Sequence, residues 1–239
     1  TLFRSSEDGQ AQADLNRLMD GTFSNQEAGM PEGTVHSELL RRPGKLYVLA
    51  SHFHPDHFNK EVLQWREQRP DIIYIFSKDI LRHRRAQKED AVWLKKGEEY
   101  KDETLSVRAF GSTDVGVSFL LQASGKKIFH AGDLNNWHWM DESTEAEWKG
   151  AEKNFLHELD DLYAYTPEVD VAMFPVDPRL GKEYMRGAGQ FVTKIKTHIF
   201  VPMHFTPEYA KANAFRDFAE AHGVRFVSLT HRGQKIEIE

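Results

Sequence analysis

The run Ser51-His52-Phe53-His54-Pro55-Asp56-His57 sets four side chains able to bind a metal within six residues, directly behind the apolar stretch Leu46-Tyr47-Val48-Leu49-Ala50. That stretch has the character of a buried strand. In extended chain, residues two apart point the same way, so His52 and His54 can face one cation. Pro55 bends the backbone, and Asp56 and His57 then face a second point a few ångströms away. Neutral imidazole and carboxylate suit zinc, manganese or iron. Two such cations about 3.5–4 Å apart can share a hydroxide, lower its pKa and clamp an oxyanion. The plain alternative is a His-rich surface loop that binds nothing, and four donors packed behind a strand argue against it.

Two later stretches repeat the pattern of a donor at a strand end. His130-Ala131-Gly132-Asp133 closes an expected strand at Lys127 to His130. Gly132 lets the chain turn tightly, so Asp133 is a candidate bridge between two metals, with a turn-former as its plainer role. His130 is read as a residue supporting a ligand, with a ligand itself or a core histidine as its alternatives, and Ser51, beside His52, is placed in the same supporting role. His204 ends the expected strand Ile199 to Met203 and can complete the second metal position. Trp137 and Trp139 follow Asp133 closely and are expected to wall the substrate, with His138 between them as a catalytic donor; packing under the next helix is the alternative. Arg179 is expected to grip an anionic group, or else to fix its own loop by pairing with Asp177. Asp56 is assigned a second task, orienting or accepting a proton from the attacking hydroxide.

The remaining chain narrows the class. With 239 residues, 40% of them hydrophobic, there is enough apolar side chain for one large domain, here taken as 1–239 with an irregular stretch at 1–44. The net charge of −6 shows no basic excess of the kind a nucleic-acid binder carries, so a small-molecule substrate is the expected partner, with a homo-oligomer left open. The absence of cysteine excludes disulfides and thiolate metal sites and fits a reducing cytoplasm. No stretch approaches the roughly 18 apolar residues of a membrane span, and Thr1 to Asp20 lacks the apolar run of a signal peptide. A short helix is expected at Ala11 to Met19, a loop at Gly21 to Gly33, and helical spacing at Lys60 to Glu67. Further helices are expected at Thr144 to Tyr163, Gly187 to Lys196 and Pro207 to Ala221. Strands are expected at Ile72 to Phe76, Leu105 to Phe110, Val115 to Gln122, Val169 to Phe174, Val224 to Leu229 and Gln234 to Glu239. Strands first, then strand-helix alternation, predicts sheets with helices packed outside. Arg82 to Arg85 and Lys95-Lys96 read as solvated faces, and Trp93, Trp148 and Phe155 as core.

Ser51 to His57 resembles the HxHxDH signature of the metallo-β-lactamase superfamily, and Gly132-Asp133 and His204 resemble its later ligand motifs in the expected order. The likeness spans about Lys45 to the C-terminus. Within the superfamily the chain is similar to the group around L-ascorbate-6-phosphate lactonase. The resemblance implies an α/β (α+β) fold, the αββα sandwich of two β-sheets flanked by helices, with the site at one edge between the sheets. It implies metal one on His52 and His54, metal two on Asp56, His57 and His204, and Asp133 bridging. The implied activity is a metal-dependent hydrolase, its metal-bound hydroxide attacking a small anionic ester, lactone or phosphoester. A nuclease like ribonuclease Z, or a non-catalytic metal-binding or sensing domain, are the alternatives.

The sequence departs from the family pattern twice. A further metal-one histidine is usual before the Gly-Asp motif, but the stretch Gly111-Ser112-Thr113-Asp114-Val115-Gly116 has none. Either Asp114 takes its place, favouring a harder metal such as manganese, or metal one is weak or absent and Asp114 is a turn residue. Nothing before Leu46 looks like the family's opening hairpin, so the first strands are expected to be missing from the sequence.

Overall fold

The computed structural model of the chain describes residues 2–5, 11–12, 35, 40–41, 43–205, 208–231 and 234. Its strands form two sheets. In spatial order, the first holds β2 (Ala11–Gln12), β1 (Leu2–Ser5), β3 (Leu46–Ala50), β4 (Ile73–Ser77) and β5 (Val92–Leu94). The second holds β12 (Arg225–Phe226), β11 (Lys196–Met203), β10 (Glu168–Pro175), β9 (Lys126–His130), β8 (Ser118–Ala123), β7 (Ser106–Phe110) and β6 (Glu99–Lys101).

Side-chain alternation explains how the sheets are covered. Along β3, Tyr47 and Leu49 point into the larger core, shared with the second sheet, while Leu46, Val48 and Ala50 point into a smaller one. The smaller core is closed by Phe58, Val62, Leu63, Trp65 and Ile80. These come from the 3₁₀ segment Lys60–Glu67 with the chain leading into it, and from the short helix α1 (Lys78–Arg82). Over the second sheet lie α2 (Glu145–Tyr165), which buries Phe155, Leu159 and Leu162, and α3 (Arg186–Lys194), whose Phe191 ring lies 4.6 Å from that of Phe174. Two sheets with helices outside each is the expected sandwich. Each of these buried phenylalanines contributes on the order of 1.5–3 kcal/mol.

Local chemistry explains where two of these elements begin and turn. Thr144 caps α2, and its capping box with Glu147 is complete. Ser124 and Gly125, at φ of 50° and 75°, make the two-residue turn between β8 and β9. Other expectations need correction. Strands do precede Leu46: β1 pairs antiparallel with β3, Leu2 opposite Val48, and β2 pairs with β1. The stretch 1–44 is therefore not wholly irregular, and Ala11–Gln12 is strand rather than helix. The rest of the Ala11 to Met19 helix, the Gly21 to Gly33 loop and all but Gln234 of the closing strand lie outside the described residues. The single helix expected up to Ala221 is two, α4 (Tyr209–Asn213) and α5 (Arg216–Ala221). The winding tightens between them, where the Phe215 amide bonds to Ala212 and the Phe215 ring is drawn into the core 5.0 Å from Phe200. No helix among the described residues is long and apolar enough to cross a membrane.

Topology gathers the loops that matter. β9, β10 and β11 are parallel neighbours, so their C-terminal ends share one edge of the second sheet. β8 runs antiparallel to β9, which brings the loop before β8, with Asp114, to that same edge. The Val117 amide bonds to the Ser51 carbonyl at 3.0 Å, tying the loop after β3 to it across the two sheets.

Candidate metal centre

Asp133 sits at the middle of the cluster. It leaves β9 through Ala131 and Gly132, the latter at φ 55°, where a β-carbon would lie 2.8 Å from Ser51 Cβ. Only glycine fits that combination of backbone and space. Asp133 Oδ1 lies 3.0 Å from His57 Nε2 and 3.4 Å from His204 Nε2, and its Oδ2 is 3.4 Å from His52 Nε2. His54 Nδ1 lies 3.1 Å from His52 Nε2 and 3.7 Å from Asp114 Oδ2. Asp56 Oδ2 is 3.5 Å from His57 Nε2. Four overlapping trios have donor atoms within 4.8 Å of one another: His52, His57 and Asp133; His52, His54 and Asp56; Asp56, His57 and His204; and His54, Asp114 and Asp133. All seven candidate ligands are thus brought together, Asp114 among them.

The supporting residues set which ring nitrogens face inward. Ser51 Oγ lies 3.1 Å from His52 Nδ1 and 3.4 Å from His57 Nδ1, leaving both Nε2 atoms toward Asp133. His130 Nδ1 accepts the Gly132 amide at 3.0 Å, holding the turn that presents Asp133. His204 stands at φ 61°, a strained value for a residue with a side chain, and its Nδ1 bonds to Asp177 Oδ2 at 2.8 Å. Asp177 is fully buried and also chelates Arg179, whose Nε lies 3.0 Å from both carboxylate oxygens. On the other flank, the Phe53 amide donates to Asp79 Oδ2 at 2.9 Å, fixing the backbone between His52 and His54.

Not every expected residue turns to the cluster. His138 is buried with its Nδ1 accepting the Met140 amide and its Nε2 donating to the Glu183 carbonyl at 3.1 Å, so it braces its loop and is not available as a catalytic donor. Arg179 reaches the site, its Nη2 3.3 Å from His204 Nδ1, but its guanidinium is committed to Asp177, the loop-fixing alternative. Trp137 does border the cluster: its ring meets His204 edge-on at 5.5 Å, its Nε1–H donates to the Asp133 carbonyl at 2.8 Å, and Trp139 stacks on it at 6.3 Å. Asp177 and Asp79 were not foreseen as partners of the histidine loops. Asp177 was read only as the anchor of Arg179, because its pairing with His204 depends on the register of β10 and β11.

The electrostatics divide the imidazoles. Burial pushes His52 down to about 3, leaving it neutral, the form of imidazole that binds a metal. Burial also opposes charge on His57 and His204, but Asp133 outweighs it with Asp56 at the first and Asp177 at the second. Both are raised, His204 to about 9. The bond from His57 chiefly holds Asp56 down, to about 2. Asp133 is also lowered: its burial is overcome by His204 and His57. Burial and the neighbouring Asp133 raise Asp114.

These residues fit divalent cations. Asp133 Oδ1 is buried with no aligned hydrogen-bond donor, although two imidazole nitrogens stand close to it. A protein rarely leaves such an oxygen orphaned unless an ion completes it. The donors are all nitrogen and oxygen, the set that takes zinc, manganese or iron.

Comparison with known proteins agrees with this geometry. No curated protein matches the sequence. The metallo hydrolase Igni18 of the hyperthermophilic archaeon Ignicoccus hospitalis KIN4/I shares the fold with a TM-score of 0.57 at 17% identity, over 86% of this chain and 85% of that one. The metallo-beta-lactamase fold protein YhfI of Bacillus subtilis gives 0.54 at 11%, over 80% and 77%. CmlA, a diiron beta-hydroxylase from Streptomyces venezuelae, gives 0.50 at 14%, over 77% of this chain and 43% of that one. A family model described as a beta-lactamase superfamily domain matches residues 34–205, well over half of the sequence. The chain belongs to the beta-lactamase superfamily and carries the metallo-β-lactamase fold of its metal-dependent hydrolases.

Proposed function

We propose that the chain is a two-metal hydrolase acting on a small anionic ester, lactone or phosphoester. The observation that carries this reading is the orphaned Oδ1 of Asp133, a carboxylate shared by two of the four overlapping donor trios. In it, His52, His54 and Asp114 would hold one metal and Asp56, His57 and His204 the other, with Asp133 a ligand available to both. Bound metals would supply Lewis acidity and lower the pKa of water at neutral pH. The chain's own residues do the rest. Asp177, which can only accept, fixes the Nδ1–H tautomer of His204, and Ser51 orients His52 and His57 so that their Nε2 atoms face inward. Asp56 is the most exposed of the carboxylates, at 59% of its side chain, and stands where it can take a proton from incoming water. Trp137 and Trp139 exclude water from one side of the mouth.

Metal analysis tests this first. Purified protein soaked with manganese or zinc is expected to hold two equivalents, and His54→Ala to lose at least one while remaining folded by circular dichroism. A panel of lactones, phosphodiesters and phosphomonoesters then identifies the substrate class. Unchanged stoichiometry in His54→Ala would overturn the ligand assignment. Two metals with no turnover of any panel member would favour a sensing domain.

A further inference from the structure

Beside the metal centre lies a groove of about 410 Å³ lined by Thr113, Trp137, Ala146, Glu147, Gly150, Ala151 and Asn154. It opens between the Trp137 indole and one face of α2, and Trp137 belongs to both places, since its ring also meets His204 at 5.5 Å. Its walls are fixed before anything binds. Trp137 is held by its bond to the Asp133 carbonyl, and Thr113 by its own to the Asn135 carbonyl at 2.5 Å. Gly150 is part of the α2 side of the lining. A β-carbon there would meet nothing within 4 Å, so no packing demand accounts for a residue that weakens a helix interior. What the missing side chain leaves is open space on the α2 side of the groove.

The chemistry of the lining selects an occupant. A flat indole facing glycine and alanine favours a flat, unsaturated ring. Glu147, the one charged residue of the lining, is negative and tied to Thr144 in the helix cap, so the groove repels an anionic group. The anionic end of a substrate therefore lies at the metals and its uncharged ring here. Resting on the hydrolase reading above, we infer that the substrate carries an aryl or similarly flat apolar substituent, which stacks on Trp137 over Gly150.

The test compares phenyl phosphate with methyl phosphate as ligands of the manganese-loaded protein by calorimetry, which needs no turnover. Wild type is expected to bind phenyl phosphate roughly tenfold or more tightly, the scale of a buried stacked ring. Gly150→Leu fills the groove with a better helix former. It is expected to abolish that preference while leaving metal content and methyl phosphate affinity unchanged. Gly150→Ala is expected to melt higher than wild type and to lose part of the preference. Equal affinities in wild type, or a preference that survives in folded Gly150→Leu, overturn the inference. Methyl phosphate that fails to bind the loaded protein strikes the hydrolase reading instead, and the ring subsite falls with it.

Discussion

Replacing Asp177 by Asn keeps its size and removes the charge behind His204. The buried carboxylate both fixes the Nδ1–H tautomer and raises the basicity of Nε2, so the variant should hold its second metal about 10–100-fold more weakly, with the first metal little affected. Competitive titration with a chelating dye reads this, and equal affinity for both equivalents would show Asp177 to be only a loop anchor. Protons compete for the same nitrogen. His204 is raised to about 9 in the metal-free protein and must lose its proton to bind, as must His57. Apparent metal affinity should therefore climb as pH rises from about 6 and level off above about 9, by up to about tenfold per unit for each proton displaced. A flat profile over that range would mean that neither ring is a ligand. At this scale, much of the site was legible. Ser51 to His57 is dense enough in donors to be read unaided, and Gly132-Asp133 and His204 follow strands of plain apolar pattern. His138 misled because alternation along Trp137-His138-Trp139 cannot show that a carbonyl of Glu183, far along the chain, waits for its ring.

Elements decide how accurately those residues are held. β9, β10 and β11 were readable as buried strands, and their parallel packing delivers Asp133, Asp177 and His204 to one edge. What could not be read was tightness of approach. The backbone at Gly132 passes so close to the Ser51 side chain that a methyl group would sit 2.8 Å from its Cβ, at a φ of 55° besides. Gly132→Ala should therefore cost about 1–3 kcal/mol and shift Asp133 away from His52 and His57. Urea unfolding and metal titration together check this, and wild-type values in both would mean that the turn can relax freely. Short elements were the other gap. β5 and β6 have three residues each, too few for a period to emerge from the text, and each exists because a longer neighbour offers it an edge; of the strand expected at Val224 to Leu229 only Arg225–Phe226 pairs, as β12. The break between α4 and α5 has the same origin: helical spacing continues through Phe215, but the core takes its ring.

On the scale of the whole molecule, the centre is a seam. His52, His54, Asp56 and His57 follow β3 of the first sheet, while Asp114, Asp133, Asp177 and His204 lie in loops of the second. Among the described residues the two sheets also share the larger apolar core, through Tyr47, Leu49 and Ile75, so the sandwich does not depend on ions to exist. Cations bound across the seam nevertheless require both sheets in place, and the unfolded chain, which keeps only the His52 to His57 run as a local group, should bind them far more weakly. Binding therefore stabilises the folded state. At a free concentration 100 times the dissociation constant, one site adds about 2.7 kcal/mol. For a domain of this size each kcal/mol raises Tm by about 2–4 °C. Manganese should accordingly raise Tm by about 5–10 °C over protein stripped with a chelator, and more if both positions fill. His204→Ala should lose much of that increment, and so should His54→Ala, because each removes a donor from one side of the seam. Scanning calorimetry at several manganese concentrations measures it. Full occupancy with a Tm unchanged within about 1 °C would mean that the ions bind the histidine loop alone, and the joining of the two sheets through Asp133 would have to be abandoned.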